Sequence, residues 1–297
     1  PVAASIFFDS LLTSLFSMKR IYGPILIFFF FFTPLPLEGE EKPRPVPIPW
    51  QILSPGLSFY RWEVHSQNVT VNTLAILRID PELWSFRVFF NREPKTIKEW
   101  HQSTGATILC NGGFYQENFN PAGRILVNGT SLGPFKNRHM KGMFLAEPQK
   151  GFEHLPKAAL IDLKDDKSEE IIASYSQGVQ SFPILLDPKG QVRVNQSNFQ
   201  ANRTVLAQDG TRHLYIIITE KPLFTLYNLG HYLKALPFGF QFILNLDGGN
   251  RTQLLVQIKA FKYLFTGQGE GSDPTRFFFG EQIRLPSVIG IFPRGRH

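Results

Sequence analysis

Apolar positions recur along this chain mainly in short runs of four to nine residues, bounded by glycine, proline, asparagine and aspartate. Runs of this length, rich in β-branched and aromatic side chains, predict strands. They cover residues 73–79, 85–90, 106–110, 142–146, 178–186, 204–207, 213–219, 241–246, 252–258 and 287–292. The sequences Asp187-Pro188-Lys189-Gly190 and Asp209-Gly210 lie between such runs and supply turn geometry, so a hairpin is expected at each. Two helices are expected as well. Thr96-Ile97-Lys98-Glu99 has the spacing of a capping box that opens a helix over 96–103, and Leu226, Leu229, Leu233 and Leu236 form a stripe of helical period. The expected class is α+β: a strand-rich, mixed or antiparallel sheet core with a few helices in a single domain.

The beginning of the chain departs from this pattern. Met18-Lys19-Arg20 precedes an apolar stretch over 21–32 that ends in five consecutive phenylalanines and is closed by Pro34 and Pro36. Its apolar core of about eight residues suits an export signal and falls well short of the ~20 residues of a membrane-spanning helix. Residues 1–37 therefore read as an export signal or, since no small-x-small cleavage site follows, a retained anchor. Residues 1–17 read as an extension upstream of a start at Met18. Residues 38–49 alternate charges with prolines and read as an extended spacer. From Trp50 to the end the apolar density is even, without repeat or second linker, so residues 50–297 are expected to form one domain.

Composition narrows the class further. The 297 residues carry 31 Lys and Arg against 24 Asp and Glu, but the cations are scattered and the densest charged stretch, 164–170, is mixed in sign. No basic stripe or zinc-finger spacing is present, so nucleic acid is not an expected partner. A single cysteine, Cys110, excludes an internal disulfide framework and multi-cysteine metal sites, and its place inside an apolar run marks it as a packing residue. Five Asn-x-Ser/Thr triplets begin at Asn68, Asn128, Asn195, Asn202 and Asn250 and would be glycan acceptors in a eukaryotic secretory protein. The lack of disulfides favours a bacterial periplasm or a secreted location instead. The histidines form no zinc pair, and no metal or other cofactor is expected.

Three stretches carry candidate chemistry. An apolar strand runs into Asn111-Gly112-Gly113, where two residues without Cβ can take positive φ and let a ligand reach main-chain N–H groups. By itself an Asn-Gly turn is an ordinary hairpin. A second strand delivers Asp247 to Gly248-Gly249, and Arg203 opens a third, where its planar fork suits a phosphate or carboxylate.

Taken in order, Asn111-Gly112-Gly113-Phe114-Tyr115, Asn120-Pro121-Ala122-Gly123, Asn128-Gly129, Gly142-Met143-Phe144, Gln180-Ser181-Phe182-Pro183, Asn202-Arg203-Thr204 and Asn245-Leu246-Asp247-Gly248-Gly249 resemble the phosphodiester glycosidase family over residues 106–258. The resemblance implies a pocket lined by Asn111, Gly112, Gly113, Arg203, Thr204, Asp247, Gly248 and Gly249, with Asn245 beside it. It implies an exported hydrolase of the sugar C1–phosphate bond, in which Arg203 holds the phosphate, Asp247 is the catalytic carboxylate, and the glycine turns with Asn111 bind oxygens. Glu117 is the candidate second carboxylate. The expected partner is a sugar phosphodiester or envelope glycan, with membrane contact only through the N-terminal segment. The sequence departs from the family pattern where a third glycine and a serine are usual, since Asn250 and Arg251 stand there, and where Val205-Leu206-Ala207 replaces Ala-Ile-Gly. The competing expectation is an envelope protein that binds sugar phosphate or polysaccharide without turnover.

Overall fold

Strands expected from their apolar runs form at nearly every place the pattern marks, in a computed structural model that describes residues 48–267 and 283–295. The signal or anchor at 1–37 and all but the last two residues of the spacer lie outside the described residues. In chain order the strands are β1 (Gln51–Ser54), β2 (Leu57–Ser66), β3 (Val69–Ile79), β4 (Trp84–Lys95), β5 (Ile108–Asn111), β6 (Ile125–Val127), β7 (Thr130–Leu132), β8 (Gly142–Pro148), β9 (Ala158–Asp162), β10 (Tyr175–Ser181), β11 (Ile184–Leu186), β12 (Thr204–Asp209), β13 (Leu214–Thr219), β14 (Phe240–Asn245), β15 (Gln253–Ile258), β16 (Phe261–Thr266) and β17 (Leu285–Pro293). The helices are α1 (Ile97–Thr104), α2 (Ser168–Ala173) and α3 (Leu226–Ala235).

These strands pair antiparallel in three sheets, ordered β1-β2-β3-β13-β12-β14-β11, β7-β6-β10-β8-β9 and β16-β15-β5-β17-β4. The architecture is α+β, as expected. Period-two alternation explains why β3 reads as an uninterrupted apolar run: both of its faces are buried. Ala75 and Leu77 point into a core shared by all three sheets, with Cys110 and Ile289 of one and Phe144 and Val179 of another. Leu74 and Ile76 point to the opposite face, into a second cluster that also holds Leu229 and Leu233 of α3.

Both expected helices have their signals in use. Thr96 Oγ1 accepts from Glu99 N at 3.2 Å while Thr96 N donates to Glu99 Oε2 at 2.8 Å, and Gly105 closes α1 at a φ of 66°. Ile97 and Trp100 then seat α1 on Ala106, Leu109 and Leu255. Thr225 caps α3 by accepting from Asn228 N at 3.1 Å.

Some boundaries differ from expectation. The run 178–186 divides: β10 ends at Ser181 in one sheet and β11 begins at Ile184 in another. Between them lies the cis Phe182–Pro183 bond, and Pro183 has no N–H for a ladder. The Asp209-Gly210 turn joins β12 to β13 as expected. The Asp187–Gly190 turn closes through Asp187 N and Gln191 O at 3.0 Å but leads only to a single bridge, Leu186 to Val192, and not to a second strand. Strands β1, β2, β6, β7, β9 and β16 and helix α2 carry weak patterns; β16, for example, alternates half-buried and exposed residues and has none fully buried. Among the described residues, no helix is long and apolar enough to cross a membrane.

Candidate active site

Asn111, the last residue of β5, is almost fully buried and links three distant segments. Its Nδ2 donates to the main-chain oxygen of Asp247 at 2.8 Å and makes a longer bond, 3.3 Å, to Gly112 O. Its Oδ1 accepts from Thr204 Oγ1 at 2.8 Å and from Gln253 N at 3.1 Å. One side chain thus ties the end of β5 to the start of β12, the start of β15 and the turn after β14. Buried polar groups need such partners, because each left unsatisfied costs roughly 1–3 kcal/mol.

That turn presents Asp247, whose side chain is only 9 % exposed. Burial pushes its carboxyl up to about 6, against the opposing pull of the Arg251 charge and of Gly248 N, which donates to Oδ1 at 2.9 Å. A short 3₁₀ turn, Gly249–Arg251, begins with Gly249 at a φ of 63° and brings Arg251 back towards the carboxylate, with Nε 3.6 Å from Oδ2. Arg251 Nε also donates to Tyr115 Oη at 2.7 Å, and the guanidinium carbon lies 4.8 Å from the Tyr115 ring centre. Burial raises the Tyr115 phenol above its ordinary range, and the Asp247 charge adds to that.

Arg203 approaches the same turn from the interior. Its main-chain N donates to Thr219 Oγ1 at 2.8 Å, its Nε to Phe224 O at 3.3 Å and its Nη2 to Phe199 O at 2.8 Å. A methyl group placed on Gly248 would lie 3.9 Å from Arg203 Nη1 and 2.9 Å from Asn202 O, so the turn and this arginine are neighbours. Asn202, which heads one of the Asn-x-Thr triplets, is itself fully buried and donates to Thr219 O.

Asn245, two residues before Asp247, is buried as well. Its Nδ2 donates to Phe182 O at 2.9 Å and its main-chain oxygen accepts from Ser181 Oγ at 2.6 Å, but its Oδ1 has no hydrogen-bond partner among the described residues. The phenyl ring of Phe182 packs at 4.5 Å against Phe114, the residue after Gly113.

The two glycines after Asn111 act differently from the expectation. Neither has a positive φ, and the chain does not turn back there as a hairpin; β5 instead pairs with β15 and β17. Glycine is needed for close approach: a Cβ on Gly112 would meet Ser287 Oγ at 2.5 Å, and one on Gly113 would meet Val179 Cγ1 at 2.8 Å and Gln180 O at 3.0 Å. Positive φ is required only at Gly249 of the four site glycines. Glu117 is exposed in the loop 116–120, with no hydrogen bond or ion pair to Asp247. Cys110 is fully buried and its thiol is pushed up to about 12, as suits a packing residue.

The structure therefore gathers Asn111, Thr204, Arg203, Asn245, Asp247, Gly248 and Gly249 around one turn and adds Tyr115, to which the sequence gave no role of its own. Arg251 was marked only as a departure from a pattern; its partnership with Tyr115 spans 136 residues and has no local signal. Two clefts, of about 320 and 600 Å3, are lined by neither Asp247, Arg203 nor Arg251: one lies beside Arg92, Gln116 and Pro121, the other beside Lys136, Lys141 and Gln180. Among the described residues, no group of three or more His, Cys, Asp or Glu is disposed to hold a metal ion.

Comparison with known proteins gives a consistent picture. A family profile described as phosphodiester glycosidase matches residues 104–292. The fold is similar to that of a hypothetical protein from Synechocystis, at 14% identity and a TM-score of 0.54 over 84% of this chain; the match spans 64% of that protein's length. It is equally similar, at 14% identity and a TM-score of 0.54, to the catalytic domain of zebrafish N-acetylglucosamine-1-phosphodiester alpha-N-acetylglucosaminidase auto-inhibited by its pro-peptide, covering 81% of this chain and 85% of that domain. No curated protein matches significantly.

Proposed function

Because the chain belongs to the phosphodiester glycosidase family, we propose that it hydrolyses the sugar C1–oxygen bond of a sugar-1-phosphodiester. The observation that carries this proposal is the buried carboxylate of Asp247 on a turn that Asn111 pins and that Arg203 adjoins. A phosphate monoester leaves readily as an anion, so the reaction needs little help from a general acid. What it needs is a carboxylate at C1, positive charge at the phosphate and partners for the sugar hydroxyls.

Asp247 is cast as the base. A carboxyl titrating at about 6 is ionised at neutral pH yet basic enough to draw a proton from water. The water oxygen bonds to C1, its proton passes to Asp247, and the C1–O bond breaks with its electron pair going to the phosphate oxygen. The products are the free sugar and a phosphomonoester. Arg203 faces the phosphate from the interior, the Asn245 Oδ1 acceptor suits a sugar hydroxyl, and Gly112, Gly113, Gly248 and Gly249 keep side chains from crowding the substrate. Asn111 and Thr204 support the Asp247 turn. No step is assigned to Glu117. On the sequence of residues 18–36 we place the protein in the periplasm or outside the cell, with residues 50–297 as the glycosidase domain.

The experiment is turnover of a panel of sugar-1-phosphodiesters by the purified protein, with Asp247→Ala and Arg203→Ala alongside. Release of free sugar and phosphomonoester is expected, and each variant should lose several kcal/mol of transition-state stabilisation, about a hundredfold or more in rate. Near-normal turnover by both folded variants would overturn the assignment. Saturable binding without turnover would instead favour a sugar-phosphate-binding protein, an outcome for which the presence of Arg251 close to Asp247 is the motivating observation.

A further inference from the structure

The rim of the Asp247 turn holds a guanidinium that the Proposed function does not require. Arg251 stands where the family pattern has a small residue, its side chain is 44 % exposed, and its position is set by a single nitrogen. That nitrogen, Nε, donates to Tyr115 Oη at 2.7 Å and lies 3.6 Å from Asp247 Oδ2. The two terminal amino groups make no hydrogen bond to the described residues. Tyr115 is held in turn, since it bridges to Pro121 and its ring packs 5.9 Å from that of Phe119.

We propose that Arg251, tethered by Tyr115, is a specificity-determining ligand for the substrate's phosphate, its two terminal amino groups taking a pair of phosphate oxygens next to the bond that Asp247 attacks.

Three features support this. A guanidinium matches phosphate through paired N–H donors, and Arg251 keeps such a pair without a hydrogen bond to the described residues on a side chain that is partly exposed. Anchoring through Nε and the tyrosine ring removes much of the conformational freedom that a surface arginine would otherwise lose on binding. The neighbouring carboxylate also keeps the site from holding anions indiscriminately, because an anion must bring enough charge, correctly placed, to offset the repulsion of Asp247. The phosphomonoester product carries more charge than the diester substrate, so the same fork is expected to retain product.

The proposal rests on the proposed reaction, and the test separates the two. The probes are the sugar-1-phosphodiester turned over by wild type, an uncharged aryl glycoside of the same sugar, and sugar 1-phosphate as a binding ligand followed by calorimetry. Measured at alkaline pH, where Asp247 is ionised with or without Arg251, Arg251→Ala should raise KM for the phosphodiester and weaken sugar 1-phosphate binding by roughly tenfold or more, with Arg251→Lys intermediate and Tyr115→Phe smaller, while the aryl glycoside is handled as by wild type. Unchanged melting curves would verify that each variant is folded. If wild type turns over the phosphodiester and Arg251→Ala matches it in KM and in binding, the Arg251 assignment is overturned and the hydrolase assignment stands. Equal losses on charged and uncharged substrates would also overturn it, by showing a general effect on Asp247. If wild type hydrolyses nothing but binds sugar 1-phosphate in an Arg251-dependent manner, the anion site stands and the hydrolase assignment falls.

Discussion

The side chain of Asn111 donates to the main-chain oxygen of Asp247 across 2.8 Å, joining residues 136 apart in sequence. The bond acts on the backbone of Asp247 and leaves its carboxylate to the turn that follows. Position and charge of the candidate base are thereby controlled by different neighbours, Asn111 on one side and Gly248 and Arg251 on the other.

Replacing Asn111 should therefore be costly. Asn111→Ala leaves Asp247 O, Thr204 Oγ1 and Gln253 N without their partner, and a loss of about 3–5 kcal/mol is expected in urea denaturation. Thr204→Val removes one of these bonds and should cost about 1–2 kcal/mol. A loss under about 1 kcal/mol for Asn111→Ala would show that the turn is held by other contacts.

Burial of Asp247 makes stability fall as pH rises. The folded carboxyl titrates at about 6 against an ordinary value of 3.8, so the folded state holds its proton to higher pH than the unfolded chain. The favourable contribution is fully present below 3.8 and is lost as pH rises through 6. The penalty at neutral pH is at most about 3 kcal/mol. Asp247→Asn should accordingly melt higher than wild type at about pH 8, with the gap closing on acidification, although it abolishes turnover. Wild-type turnover should rise with pH along a limb centred near 6. In Arg251→Ala that limb should move to higher pH, because the guanidinium charge lowers the carboxyl.

The glycines of the site should differ in what they tolerate. Gly113→Ala meets Val179 and the main-chain oxygen of Gln180, and Gly248→Ala meets the main-chain oxygen of Asn202 at 2.9 Å, so each should destabilise by about 1–3 kcal/mol. Gly151→Ala is the control: it has a φ of 92° but open space around it, and only backbone strain of about 1 kcal/mol is expected. Thermal melts of the three variants check the ranking.

Cys110 should be silent in the folded protein. Its burial and raised pKa keep the thiolate fraction negligible, so a disulfide reagent should modify it only after denaturation. Modification of the native protein at the rate of a free thiol would contradict that packing.

What the amino-acid order determined on its own was local. The apolar runs placed β3, β8, β13, β14 and β15, because a strand buried largely on both faces must be apolar at successive positions. Thr96 with Glu99 announced α1 because both halves of its cap lie within four residues. The motif residues at Asn111, Arg203 and Asp247 were legible for the same reason, each lying within a short distinctive string at or beside one end of an apolar strand. Half-buried strands such as β2 and β16 were not legible, since their exposed faces carry whatever side chain solvent accepts. The tertiary structure alone decided that Asn111 spends its amide on holding a turn, that Gly112 and Gly113 are small because Ser287 and Val179 press on them, and that Tyr115 reaches Arg251. Hydrogen bonds and close contacts between residues so far apart in sequence depend on how three sheets meet, and no local spacing encodes them.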